Sequence, residues 1–273
     1  MPRVLILSSF VAASRVGGSA QALALARLGI EPVLAPTVLF GRHPGHGAPG
    51  GAAVSPETFA SVLAGIEAQG SFDALDAVIT GYFASAEQVA VAAEAIARIT
   101  ATTPAARVVV DPIMGDKGSG LYVGEAVADA IATELVPCAV VVCPNAWELS
   151  RLTDTEVIGP AAALAAARRL GRPALVSSVP CDDDIGVLFA DSTEGWLAKH
   201  ARQVSAPKGT GDLLTAYCTA GLISGRDGRE ALAAAVGALA DLVTTCGAED
   251  PPVEVLPTQL AASPRVRVEP LHG

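Results

Sequence analysis

The sequence predicts an α/β fold with a mostly parallel sheet and helices packed on both faces. Strand-like and helix-like runs alternate along almost the whole chain, which is the signature of parallel strands joined by helical crossovers. The strand-like runs are short and almost wholly apolar, as strands buried on both faces are. Only 4% of the 273 residues are aromatic while 51% are hydrophobic, so the core is Ala, Val, Leu and Ile, and many helical Ala residues let helices lie close on a sheet. No repeat of fixed period and no low-complexity linker divides the chain, which reads as one domain over 1–273.

The elements follow in order. Arg3–Leu7 is a first apolar strand, and Gly17–Leu28 is a helix with Ala20, Leu23, Ala24 and Leu28 at helical spacing and Gly29 as its C-terminal glycine. Pro32–Pro36 is a second strand, followed by a Gly-, Pro- and His-rich loop from Thr37 to Gly51. Ser55 caps the next helix, with Pro56 at its first position. Ala74–Thr80 is a buried strand, and Ser85 caps a helix over Ala86–Thr100. Arg107–Val110 is a strand ending in Asp111-Pro112, and Cys138–Cys143 is another, ending in Pro144-Asn145. Short helices reach Leu152 and span Ala161–Leu170 before a strand at Ala174–Ser177. Gly186–Ala190 and Glu194–Ala198 flank a turn as a hairpin-like pair. Two long Ala-rich helices, Gly211–Ser224 and Gly228–Thr245, precede a tail, Arg265–Val268, expected as an edge strand.

Composition excludes several functions. The formal net charge is −10, and only three lysines (Lys117, Lys199, Lys208) occur, which disfavours nucleic-acid and anionic-membrane partners. No apolar run is long enough for a membrane span, and the start reads as a strand and not as a signal peptide. The five cysteines form no CxxC; four are expected as core residues and Cys181 in a polar loop, which suits reduced thiols in the cytoplasm.

Three motifs carry chemistry. In Lys208-Gly209-Thr210-Gly211-Asp212, two glycines free the backbone N–H groups to face an anion at the start of an apolar helix. Asp212 would make a poor phosphate ligand but a good base for an attacking hydroxyl; as the alternative, it caps the helix. Asp111-Pro112-Ile113-Met114-Gly115-Asp116 and Pro144-Asn145-Ala146-Trp147-Glu148 each place carboxylates after a strand. Asp111 and Glu148 would suit a hydrated magnesium ion against nucleotide phosphates, or else be a turn residue and a first-turn helix acid.

DPIMGD at 111–116, NAWE at 145–148 and GTGD at 209–212, in that order, resemble the ribokinase-like superfamily and within it the vitamin B6 kinases. Ser8-Ser9, Val16–Ala20, Pro36–Phe40, His43–Gly47 and Thr80-Gly81-Tyr82 are similar to the same family, so the resemblance spans nearly the whole chain. It implies a three-layer ribokinase-like domain, with a mobile loop around 37–51, that transfers the γ-phosphoryl group of ATP to the 5′-hydroxymethyl of pyridoxal. Carried over residue by residue, it makes Asp212 the base and Gly209, Thr210 and Gly211 the stabilisers of the transferring group. Ser9, Thr37, Tyr82 and His43 would line the substrate pocket beside Asp212. Asp111, Asn145, Glu148, Ser177 (or Ser178) and 209–211 would serve ATP, with Mg²⁺ at Asp111 and Glu148 through water. The resemblance also implies a homodimer acting on small molecules.

The chain departs from that pattern at Phe10, where many B6 kinases have His, and in 11–15. Cys181-Asp182-Asp183-Asp184 stands where a basic or polar nucleotide contact is common; a solvated loop is expected there. The alternatives are a hydroxymethylpyrimidine kinase, with the same Asp, Glu and GxGD layout, and a non-catalytic B6 sensor on the same fold. A nicotinamide-dependent dehydrogenase is disfavoured because the first strand-to-helix connection lacks GxGxxG. The residues do not specify the preferred vitamer or any monovalent ion requirement.

Overall fold

The computed structural model describes residues 1–203 and 205–272. One ten-stranded sheet runs through it, in the order β12-β11-β10-β9-β8-β5-β4-β1-β2-β3. β1 (Arg3–Val11) pairs in parallel with β2 (Glu31–Phe40) on one side and β4 (Ala77–Thr80) on the other. β5 (Arg107–Val110), β8 (Val141–Val142) and β9 (Ala174–Cys181) extend the parallel block. Both flanks turn antiparallel: β3 (Gly51–Ala53) on β2, then β10 (Asp184–Ala190), β11 (Gly195–Ala201) and β12 (Arg267–Pro270) beyond β9. The mixed but mostly parallel sheet and its covering helices agree with the predicted class.

The apolar strand runs alternate between the two faces. Val4, Ile6, Ala77, Ile79 and Val109 join the core formed with α1 (Gly17–Arg27), α7 (Thr210–Ile223) and α8 (Gly228–Cys246). Leu5, Leu7, Val78, Val108 and Val110 join the opposite core under α2 (Pro56–Ala68), α3 (Ala86–Thr102) and α4 (Glu125–Ala130). A third cluster packs α5 (Ala146–Thr153) and α6 (Pro160–Arg169) on β9 and β10. Ser55 and Ser85 cap α2 and α3 by accepting from the N–H groups of Thr58 and Gln88, as the sequence indicates. Pro32 and Pro36 are tolerated in β2 because β3 pairs only with Val38–Phe40, leaving the outer edge beside the prolines free of a ladder.

Several expectations are corrected. Thr37–Phe40 continues β2 and Gly51 opens β3, so the connecting segment is only 41–50. The run at Cys138–Cys143 contributes two strand residues, and Cys138 is exposed in a 3-10 turn. Cys181 ends β9 and is buried, while Asp182 and Asp183 form the exposed turn beyond it. The edge strand at the tail exists, shifted to Arg267–Pro270. A small hairpin, β6 (Gly115–Asp116) with β7 (Gly120–Leu121), and α4 lie where the sequence offered no periodicity.

Candidate active site

The parallel strands end along one edge, and the loops leaving them enclose a cavity of about 910 Å³. This is where ligands of open α/β sheets bind. Ser9, His43, Tyr82, Asp111, Asn145, Glu148, Ser177 and Gly209–Asp212 all line it. Thr37 does not: it is fully buried, and its hydroxyl donates to the carbonyl of Tyr82 at 2.6 Å.

At one end, the ladder between β1 and β2 shifts register between Ser8 and Phe10, and Ser9 sits at this irregularity. Behind it Gly17 opens α1 at φ +58°, and a Cβ there would lie 1.9 Å from Ser9 Oγ, so only glycine fits. Phe10, at the position of the expected His, is 40% exposed and does not line the cavity. Tyr82 follows β4, its N–H donating to Ser8 Oγ at 3.2 Å. Burial pushes its phenol pKa up. His43 comes from the 41–50 segment; its Nδ1 accepts from the N–H of Gly45 at 3.0 Å, which leaves Nε2 as the donor of the neutral ring. Partial burial, and then the nearby Lys208, lower its pKa.

The centre is acidic. Gly209 takes φ +81° against the backbone of Arg15, and no side chain caps α7, so the first N–H groups of that helix open toward the cavity. Asp212 Oδ2 accepts from the N–H of Gly17 at 2.8 Å, while Oδ1 is buried without a partner. Burial raises the Asp212 pKa to about 6 despite that N–H. Asp111, at the end of β5, accepts from Thr215 Oγ1 of α7 at 2.8 Å. Burial first, then the charges of Asp212 and Glu148, hold its pKa well above the usual carboxylate range.

Glu148 closes a capping box with Asn145 at the start of α5. Its oxygens accept from the N–H groups of Met114 (2.9 Å), Gly115 (3.3 Å) and Asn145 (2.8 Å), and Asn145 Nδ2 donates to the Gly115 carbonyl at 2.8 Å. The NAWE motif is therefore bolted to the DPIMGD turn. Burial still raises the Glu148 pKa to about 7. Three carboxylates that resist ionisation for want of solvent suit a cation. Among the described residues no three His, Cys, Asp or Glu side chains converge closely enough to ligate one directly.

Ser177 and Ser178 lie inside β9 and not at its end; Ser178 has φ +59° beside a ladder irregularity, and Ser177 bridges to Asn145. Sequence reasoning missed the far end of the cavity, lined by Leu239, Val243 and Thr244 of α8 with Arg202 and Arg265. It also missed Tyr122, just past the β6–β7 hairpin. The only sequence signal for either was a run of α8 apolar positions one turn apart.

The fold and site together define a phosphotransferase of the vitamin-kinase class. The chain belongs to the phosphomethylpyrimidine kinase family, whose model matches residues 52–248. Proteins similar to it include B6 kinases. A pyridoxine/pyridoxal/pyridoxamine kinase of Bordetella avium is 39% identical over 230 residues, 81% of this chain and 78% of that protein. A pyridoxal kinase of Corynebacterium diphtheriae is 32% identical over 97% of this chain and 98% of its own. Among solved structures, pyridoxal kinase from Entamoeba histolytica aligns with a TM-score of 0.89 at 26% identity, over 99% of this chain and 100% of that one. Pyridoxal kinase from Leishmania donovani, in complex with ADP and pyridoxamine, gives 0.88 at 26% identity over the whole of both chains.

Proposed function

We propose that the protein is an ATP-dependent kinase of B6 vitamers that phosphorylates the 5′-hydroxymethyl group of pyridoxal. The observation that carries this reading is Asp212: one oxygen is held by Gly17 and the other, buried and unpartnered, is free to take a proton. The vitamer hydroxyl loses its proton to Oδ1 as its oxygen bonds to the γ-phosphorus; the bond from that phosphorus to the β,γ-bridging oxygen breaks and ADP leaves, a general-base step. The N–H groups at Gly209, Thr210 and Gly211 face the oxygens on which charge spreads, and they act without reorganisation because α7 fixes them. Ser9, Tyr82 and His43 hold the pyridine ring at one end, and Asn145 and Ser177 belong to the ATP side.

Asp111 and Glu148 would hold Mg²⁺, through water, and the bound ion would supply charge neutralisation at the phosphates. The same reading makes 1–273 one kinase domain whose 41–50 segment covers the site, and the working enzyme a cytoplasmic homodimer. No helix among the described residues is long and apolar enough to cross a membrane. The test is ATP consumption with pyridoxal, pyridoxine, pyridoxamine and hydroxymethylpyrimidine in parallel. Turnover of a B6 vitamer supports the reading, and turnover of the pyrimidine alone overturns it. Sedimentation velocity reads the dimer.

A further inference from the structure

Gln88 is a buried polar residue that the chemistry above does not use. It lies in the first turn of α3, is 1% exposed, and stands between the fully buried Phe83 and Val89. Its Oε1 accepts from the N–H of Ala84 at 2.8 Å, and its Nε2 donates to the carbonyls of Thr37 (2.9 Å) and Val54 (2.6 Å). The orientation of the amide is fixed, because two partners only accept and the third only donates. Three segments meet at this one side chain: β2, the residue just past β3, and the turn that carries Tyr82.

Thr37 completes the link. Its carbonyl also accepts from the N–H of Val54 at 2.9 Å, and its hydroxyl donates to the Tyr82 carbonyl. With Ser8 Oγ on the Tyr82 N–H, both backbone groups of Tyr82 are held. The same contacts close the open end of the β2–β3 hairpin, whose tip brings His43 to the cavity. An apolar side chain at position 88 would fill the space but take away the side-chain partner of the Ala84 N–H and the Val54 carbonyl and one of the two donors to the Thr37 carbonyl.

We propose that Gln88 is a positioning residue for vitamer recognition: with Thr37 it clamps Tyr82 into the cavity wall and ties that wall to the hairpin bearing His43. This rests on the B6-kinase reading. Thr37 then serves the clamp and not the substrate.

The test is steady-state kinetics of Gln88→Leu and Thr37→Val with ATP and pyridoxal varied separately. The expected result is a rise of about tenfold or more in the pyridoxal KM, with the ATP KM within about twofold and kcat within about threefold, the pattern of lost uniform binding. Thr37→Ser, which keeps the hydroxyl, restores the wild-type pyridoxal KM. In a Tyr82→Ala background, Gln88→Leu adds no more than about twofold, since residues that act through one another are not additive. An unchanged pyridoxal KM beside a lowered melting temperature overturns the proposal, as does full additivity with Tyr82→Ala. Should Gln88→Leu not fold, Thr37→Val alone decides by the same two criteria. If wild-type protein turns over only hydroxymethylpyrimidine, the B6 reading fails; the same variants, measured on that pyrimidine, then judge the clamp separately.

Discussion

The two halves of the cavity are built on opposite plans. Around Tyr82 the backbone of the wall is held by side chains: Ser8 and Thr37 pair the Tyr82 N–H and carbonyl, and Gln88 ties the Thr37 carbonyl to α3. Around Asp212, Asp111 and Glu148 the protein crowds negative charge, raises all three pKa values and leaves one carboxylate oxygen without a partner. On the proposed reading, the first half recognises the vitamer with a wall set before it arrives, and the second is the reacting half, which would take up a proton, a cation and a phosphoryl group.

The sharpest way to break this contrast is to withhold the cation. Exhaustive chelation with EDTA should abolish turnover, and added Mg²⁺ should restore it; activity that survives chelation would mean the acidic centre needs no counter-charge. Next in size is Asp212→Asn, which keeps the shape and an oxygen for Gly17 but takes no proton. Its kcat should fall by about 10²–10⁴ with ATP affinity retained. A variant keeping more than about a tenth of wild-type turnover would remove Asp212 as the base.

The pH profile sharpens the same point. Because Asp212 must be ionised to accept a proton, and burial sets its pKa at about 6, kcat/KM should fall about tenfold per unit below that value. A profile flat to pH 5 would contradict it. Stability should move the other way. A carboxyl whose folded pKa is raised favours the fold below its unfolded pKa and loses that contribution as pH rises through its folded value. For Asp212 at about 6 and Glu148 at about 7, metal-free protein should therefore melt a few degrees higher near pH 5.5 than near pH 8, as calorimetry can check. The smallest effect belongs to the recognition half. Tyr82→Phe, which keeps the ring and every backbone contact, should change the pyridoxal KM by only about two- to fivefold, the worth of one modest hydrogen bond.

The contrast also explains what could be read from sequence. Asp111, Glu148 and Gly209–Asp212 are legible because charge after a strand and glycine before a helix are chemically unusual and have few other uses. The sheet is legible because strands buried on both faces carry unbroken apolar runs, as Val4–Leu7 of β1 and Ala77–Ile79 of β4 do. Thr37 was misplaced because a hydroxyl at a strand end has the same appearance whether it faces a ligand or a backbone carbonyl. Gln88 carries no sequence signal, because a glutamine in the first turn of a helix reads the same whether it faces water or buried backbone. The β6–β7 hairpin escaped because two-residue strands have no period. Leu239 and Val243 escaped because an apolar helix residue does not declare whether a packed core or a cavity lies beside it.

Gly17 lies where the two plans meet. Its N–H holds Oδ2 of Asp212, the oxygen that the proposed base step leaves idle, and a Cβ on it would run into Ser9 Oγ. In evolutionary terms this couples substrate choice to chemistry. A lineage that enlarges residue 9 to suit a new ring pushes on the backbone that aims the base, and one that replaces Gly17 disturbs both partners at once. Changes of substrate within this architecture should therefore arise first on the Tyr82 and His43 side, where the wall can be rebuilt without touching the α1 start.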